Sequence, residues 1–216
     1  MSAEPVGGGR HDVGLSGPLF FFSYAHSAES AGSRPRKRRI QLFEDLCENV
    51  AELVSLPPGV EPGYMDTSID GGTHWSQELL DVIGNCHVFV ALLSAGYFQS
   101  KWCSMEWYAF SQRTVIGPAI ARANHHQTTI VPLIWAPIPE DRVPPVVNAV
   151  QRFAPEADLA MPYQREGIYG LLKTNQEAYE AVVWKIAQHI AKLHYDYQVE
   201  PHVLEEVELR DIFRRE

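Results

Sequence analysis

A chain of 216 residues, 45% of them hydrophobic and 11% aromatic, is long enough to bury a sizeable core, and a charged fraction of 21% is too low for a disordered polypeptide. The formal net charge of −9 argues against nucleic acid as a partner, because phosphate binding needs a surplus of Lys and Arg. No stretch approaches the roughly 20 apolar residues that a membrane span needs. The N-terminus has no basic segment followed by an apolar one, so neither a membrane nor a signal peptide is expected.

Three cysteines (Cys47, Cys86 and Cys103), odd in number and far apart, read as buried reduced thiols and point to a cytoplasmic location. Histidines show no ligand spacing. The His125-His126 pair falls in a predicted loop, where adjacent side chains diverge, so no metal site is expected.

Residues 1–17, with Gly7-Gly8-Gly9, read as a flexible tail. Pro18-Leu19-Phe20-Phe21-Phe22-Ser23-Tyr24 then suits a strand buried on both faces. A loop with the basic cluster Arg34–Arg39 follows. Ile40, Phe43, Leu46, Cys47, Val50 and Val54 then recur at helical spacing, up to Pro57-Pro58-Gly59. A short second strand fits Gly63 to Asp66. The Gly71-Gly72 pair breaks the chain, and Thr73 can cap a helix with Trp75, Leu79, Val82 and Ile83 on one face.

His87 to Leu93 reads as the third strand, closed by Ser94-Ala95-Gly96, and a helix runs from about Ser100 to Arg113. Thr129 to Trp135 reads as the fourth strand. A Pro-rich stretch leads into a short helix near Val146–Phe153, and a fifth strand is placed near Leu159–Tyr163. Tyr179, Val182, Val183, Ile186, Ile190 and Leu193 mark a last long helix. The acidic extension 196–216 reads as either an extra helix or a mobile tail.

Alternating strands and helices imply right-handed crossovers and a parallel sheet covered on both faces. The expectation is one α/β domain over residues 18–195, a flavodoxin-like three-layer sandwich with a five-stranded parallel sheet in the order 2-1-3-4-5. Ligands of such sheets bind beyond the carboxyl ends of the strands, at the switch point between the first and third. Tyr24 to Ser27, Asp66 to Gly72 and Ser94 to Glu106 therefore surround one expected crevice.

Three pieces stand in order: Phe20-Phe21-Phe22-Ser23-Tyr24; Asp66-Thr67-Ser68-Ile69-Asp70-Gly71-Gly72-Thr73-His74-Trp75; and the run from Cys86 to Trp107, with Val90, Ser94, Tyr97, Ser100, Trp102, Cys103 and Glu106 at fixed offsets. This arrangement resembles the Toll/interleukin-1 receptor (TIR) domain family, over about residues 18–195. The first piece resembles the family's opening strand, the second its BB loop, and the third its most specific signature. Phe43-Glu44-Asp45-Leu46, Glu106–Phe110, Val131–Trp135 and Gly167–Leu171 are similar to a narrower group, the bacterial TIR-like proteins of the FxsC type.

The resemblance implies an NAD⁺-cleaving enzyme, an NAD⁺ glycohydrolase or ADP-ribosyl cyclase of intracellular signalling or defence, with Glu106 as catalytic residue. It needs no cofactor besides NAD⁺ as substrate. Tyr24, Asp66, Gly71, Gly72, Trp75, Ser100 and Trp102 are the implied substrate-binding positions, and self-association through TIR surfaces is the implied assembly. At Ala25-His26 the chain departs from some active relatives, which carry arginines there.

A lone carboxylate suffices for this chemistry. The nicotinamide of NAD⁺ carries positive charge and leaves as a neutral base without a general acid, whereas ordinary glycosidases need a second carboxyl. The developing oxocarbenium ion is stabilised by one fixed negative charge. Trp102, four residues before Glu106, shares its helix face and offers an indole for stacking.

Each feature also has a plainer reading. Trp102 and Cys103 can simply pack the helix onto the sheet, Trp75 can anchor a helix face, and Gly71 and Gly72 can supply a turn rather than a lid. The Arg34–Arg39 cluster is either a solvated helix start or an arm that reaches a diphosphate. The second expectation for the whole chain is a non-catalytic TIR signalling module that self-associates or binds partner TIR domains. A phosphoreceiver fails for want of an acidic cluster after the first strand, and nucleoside deoxyribosyltransferases share only the general fold.

Overall fold

The computed structural model describes residues 17–26, 33–67, 76–118 and 128–214. Strand β1 (Phe20–Ser23) is buried along its whole length, between β2 (Gly63–Tyr64) and β3 (Val88–Leu93), and pairs parallel with both. Strand β5 (Ile130–Ile134) adds to β3, also parallel, which gives a four-stranded sheet in the order β2-β1-β3-β5. The switch point between the first and third strands is present as expected, but among the described residues the sheet has four strands rather than the expected five.

The expected fifth strand at Leu159–Tyr163 is helical instead. A 3-10 turn (Ala157–Leu159) leads into helix α6 (Ala160–Thr174). Pro162 explains the change: it cannot donate to a ladder, and it is tolerated in a helix's first turn. The outward donors of β5 are met by other means. Ile130 donates its N–H to Thr128 Oγ1 (3.1 Å), and Ile134 donates to the Tyr163 hydroxyl (2.8 Å). Phe153 donates its N–H to the Pro132 carbonyl (3.1 Å), and Pro132 itself has no N–H to offer.

Strand alternation sorts the core into two halves. Phe20, Phe22, Val88, Val90, Leu92, Val131 and Leu133 face one side, covered by α1 (Arg34–Leu53), α6 and α7 (Gln176–Asp196). Phe21, Phe89, Ala91 and Leu93 face the other, covered by α2 (Gln77–Asn85), α3 (Ala95–Gln99), α4 (Lys101–Ser111) and α5 (Pro145–Asn148). The Arg34–Arg39 cluster, expected in a loop, forms the opening turns of α1. Ser33 caps it and Pro35 sits in its first turn, both regular start signals. The cap of α2 is Ser76; Thr73, the expected cap, lies outside the described residues. The helix expected over Ser100–Arg113 forms as α4, with the short α3 just before it, and Ser100 between them caps α4 by accepting the Cys103 N–H (3.2 Å).

The described residues after α7 form no further α-helix, only a 3-10 turn (Glu206–Glu208), and they lie against the domain rather than free. Strand β6 (Gln198–Val199) pairs antiparallel with β4 (Val115–Ile116), and the chain then crosses the α2/α4 side of the molecule. Arg113 ties it down, donating to the carbonyls of Ile83 (3.0 Å), Cys86 and Glu200 (3.1 Å). The contact at Gly84 is so close that a Cβ there would stand 2.5 Å from Val203 Cγ2. Among the described residues no helix is long and apolar enough to cross a membrane.

Candidate functional site

Ser23 closes β1 and, by alternation, points to the same side as Phe21, towards α4. Its Oγ donates to Glu106 Oε2 at 2.5 Å and lies 2.9 Å from the Tyr97 hydroxyl. A serine hydroxyl has one proton, so with that proton on Glu106 the Tyr97 hydroxyl donates to Ser23. The three groups form one line across the carboxyl ends of β1 and β3, and all are buried.

Helix α4 places Glu106 there because it is buried almost all round. Cys103, Ser104, Met105, Glu106 and Trp107 are consecutive buried residues. Burial pushes the Glu106 carboxyl up to about 8; the Ser23 hydrogen bond pulls down and the charge of Asp66 pushes up. At neutral pH the carboxyl is therefore mostly protonated. A cation brought against it would favour the ionised form. Burial likewise holds the Cys103 thiol and the Tyr97 phenol well above their ordinary ranges, so both are neutral neighbours.

Tyr24 lies at the same end of the sheet but points to the opposite side, with Phe20 and Phe22. It donates to the Asp66 carbonyl (2.6 Å), stacks with His26 at 4.5 Å between ring centroids, and lies under the Arg39 guanidinium at 5.6 Å. Burial, with Asp66 next, raises its pKa to about 12, so it stays a donor. Arg36 donates to the Thr67 carbonyl (2.8 Å), so the start of α1 is tied to the loop after β2.

Of the positions singled out in the sequence, Glu106, Tyr24 and Asp66 come together at this edge. Asp66 accepts the Tyr24 hydroxyl on its carbonyl, and its charge acts on the Glu106 carboxyl. Ser100 is taken up in capping α4, and Trp102, half-buried, packs against the α2/α4 core. Gly71, Gly72 and Trp75 lie outside the described residues, as does the His125-His126 pair. No group of metal-ligating side chains occurs among the described residues. Cys86 and Cys103 are buried free thiols, while Cys47 is only half-buried.

Sequence reasoning missed Ser23 and Tyr97 as partners of Glu106. The signal for Ser23 was present: a lone hydroxyl at the end of a fully apolar strand needs a partner on the face its register selects. A cavity of about 420 Å³ farther along the carboxyl edge was also missed. It is bounded by Leu93, Ile134, Ile138, Val143 and Phe153, beside the ion pair of Arg152 and Glu140 (2.6 Å).

A family model described as the TIR domain matches residues 44–160, more than half of the chain. The chain belongs to the TIR domain family. In this TIR domain the matched span runs from within α1 to the start of α6 and includes α4 with Glu106, while β1 with Ser23 and Tyr24 precedes it. Among solved structures, the TIR domains of the activated Roq1 resistosome directly recognizing the pathogen effector XopQ align with 82% of this chain and 82% of that chain, at 18% identity and a TM-score of 0.35. No curated protein matches the sequence.

Proposed function

We propose that this TIR domain cleaves the nicotinamide–ribose bond of NAD⁺, as a glycohydrolase or ADP-ribosyl cyclase of cytoplasmic signalling or defence, with Glu106 as catalytic residue. The observation that carries the reading is a buried carboxyl at the switch point of the sheet that receives a hydroxyl from Ser23 and has no ion-pair cation among the described residues. A protonated carboxyl in such a setting gains most from ionising when positive charge arrives. NAD⁺ supplies that charge twice, on the pyridinium before cleavage and on the ribose during it.

As the pyridinium charge arrives, Glu106 gives up its proton to solvent; the C1′–N bond then breaks and nicotinamide departs with its electron pair as a neutral base. The ribosyl oxocarbenium ion forms opposite the Glu106 carboxylate, and Ser23, held by Tyr97, orients that carboxylate. Water then adds at C1′ and releases one proton, or an internal nucleophile closes a cyclic product. Tyr24, Asp66, Gly71, Gly72, Trp75, Ser100 and Trp102 are assigned to substrate binding. Tyr24 and Asp66 have the best support, since the Tyr24 hydroxyl donates to the Asp66 carbonyl and the charge of Asp66 acts on the Glu106 carboxyl. NAD⁺ serves as substrate, and no further cofactor is required. Within the family, Glu106–Phe110 and Val131–Trp135 favour the FxsC-type group.

The test is NAD⁺ consumption by concentrated native protein, with Glu106→Ala beside it. The expected outcome is turnover by the native chain and a loss of at least about 100-fold in the variant, the scale of one removed electrostatic stabiliser. Equal turnover by both proteins would refute the role of Glu106. The second reading is a signalling module that self-associates or binds partner TIR domains without chemistry. It is favoured by the burial of Glu106, which is 6% exposed and as well suited to tying β1 to α4 as to meeting a substrate. Concentration-dependent association without NAD⁺ loss would establish it.

A further inference from the structure

The segment after α7 ends against the helix that bears Glu106, and it does so through specific contacts. Ser104, fully buried and two residues before Glu106, accepts the backbone N–H of Ile212 (2.6 Å) and of Phe213 (2.9 Å) on one hydroxyl. Those two bonds seat the Phe213 ring among three others, with centroid distances of 5.7 Å to Tyr97, 5.9 Å to Phe98 and 6.0 Å to Trp107. Tyr97 carries the hydroxyl that meets Ser23, and Ser23 meets Glu106. A continuous line of contacts thus runs from a residue more than a hundred positions away in sequence to the Glu106 carboxyl.

We propose that Phe213 is a positioning residue for Glu106: its ring clamps Tyr97 so that the Tyr97 hydroxyl fixes Ser23 against the carboxyl and water is kept from the line. The physical reason is packing. A small side chain at 213 leaves a gap beside Tyr97, Trp107 and Phe98 that either admits water or lets the Tyr97 ring shift, and each outcome changes how the carboxyl is solvated. The ionisable groups that face Glu106 are Cys103 on its own helix, Tyr97 on α3, Tyr24 after β1 and Asp66 after β2. Of these, Tyr97 packs its ring against Phe213, and that contact is the route by which the ring reaches the carboxyl. The catalytic meaning of this contact rests on the NAD⁺-cleaving reading, whereas its effect on the carboxyl does not.

The experiment is a carboxyl-carbon NMR titration of Glu106 in the full chain, assigned by its loss in Glu106→Gln. In Phe213→Ala the midpoint is expected to fall by about one pKa unit or more towards the ordinary range, as water reaches the carboxyl. Phe213→Leu, which refills most of the volume, is expected to restore it. Val207→Ala, at a site 90% exposed on the same segment, is expected to leave it unchanged. Should Phe213→Ala fail to fold, Ser104→Ala removes no ring but releases the two backbone bonds that seat Phe213, and a smaller shift of the same sign is expected. An unmoved midpoint in folded Phe213→Ala, or in Ser104→Ala when that variant takes its place, overturns the proposal. A native chain without NAD⁺ turnover would end the enzymatic reading, yet the titration would still decide this one.

Discussion

The two faces of the sheet are built from the same strands and differ in what they bury. Against α1, α6 and α7 the strands present Phe20, Phe22, Val88, Val90, Leu92 and Leu133, and these helices reply with Leu42, Leu46, Val182 and Ile186. Against α2, α3 and α4 the same strands present Phe21, Phe89 and Ala91, but the layer also encloses Ser23, Ser104, Glu106 and Arg113. An apolar interior is set by volume, and exchanges of similar size disturb it little. A polar interior is set by partners, and removal of one partner strands the other. The first face also buries Arg39 on α1 and His87 against His194 of α7, but the buried carboxyl and the hydroxyls that hold it lie on the second.

The largest expected effect tests the first face. Phe22→Ala should cost about 3–5 kcal/mol of stability in denaturant unfolding, the range for large aromatic truncations. In the fraction that stays folded, the Glu106 midpoint should not move. A shift there would show that the two faces are not independent.

Next comes Glu106→Gln, which exchanges a titrating group for a neutral one of the same shape. The folded carboxyl titrates near 8 and the unfolded one near 4.5, so the native state binds the extra proton between these values. Native stability therefore falls as pH rises through that window, and the variant escapes the loss. It should be little different from the native chain at pH 4.5 and more stable by up to about 5 kcal/mol above pH 8, the span from 4.5 to 8 at about 1.4 kcal/mol per pH unit. A constant difference across the window would mean that Glu106 is ionised in the fold throughout.

Ser23→Ala removes the hydroxyl between Glu106 and Tyr97. The expected cost is about 1–3 kcal/mol for the two stranded partners. The Glu106 midpoint should rise further, since the Ser23 bond is the contact that lowers it. The smallest effect belongs to Asp66→Asn. With the charge of Asp66 gone the midpoint should fall by about a few tenths of a unit, with no change in fold, because the interaction crosses a partly solvated edge.

Much of this arrangement was legible in the sequence. Fully apolar β1, β3 and β5 announced themselves as strands, and the stripe from Tyr179 to Leu193 announced α7. Glu106 stands out in the sequence through the motif alone, and its position at the sheet's carboxyl edge follows from topology. The fifth strand failed because Leu159–Tyr163 is too short for its period to separate strand from helix, and Pro162 decided for helix. The course of the chain after Asp196 was not legible at all. It depends on a two-residue pairing of Val115–Ile116 with Gln198–Val199, on a glycine at position 84 and on the Ser104 hydroxyl, none of which leaves a local pattern. Ser23 stood between these cases, quoted in the motif but not recognised as the residue that holds the carboxyl.

The finished edge of β5 carries a consequence for how this domain can meet another copy of itself. A sheet grows from one molecule into the next when an outer strand has unspent N–H groups. Here Ile130 has spent its donor on Thr128, Ile134 on Tyr163, and Pro132 never had one, while its carbonyl is taken by Phe153. Intermolecular strand addition is closed along this side, and the opposite border, β2, is only two residues long. Along the β5 border, contact with another copy would fall to helix surfaces and loops, where side chains choose the neighbour, and not to backbone, which would accept any.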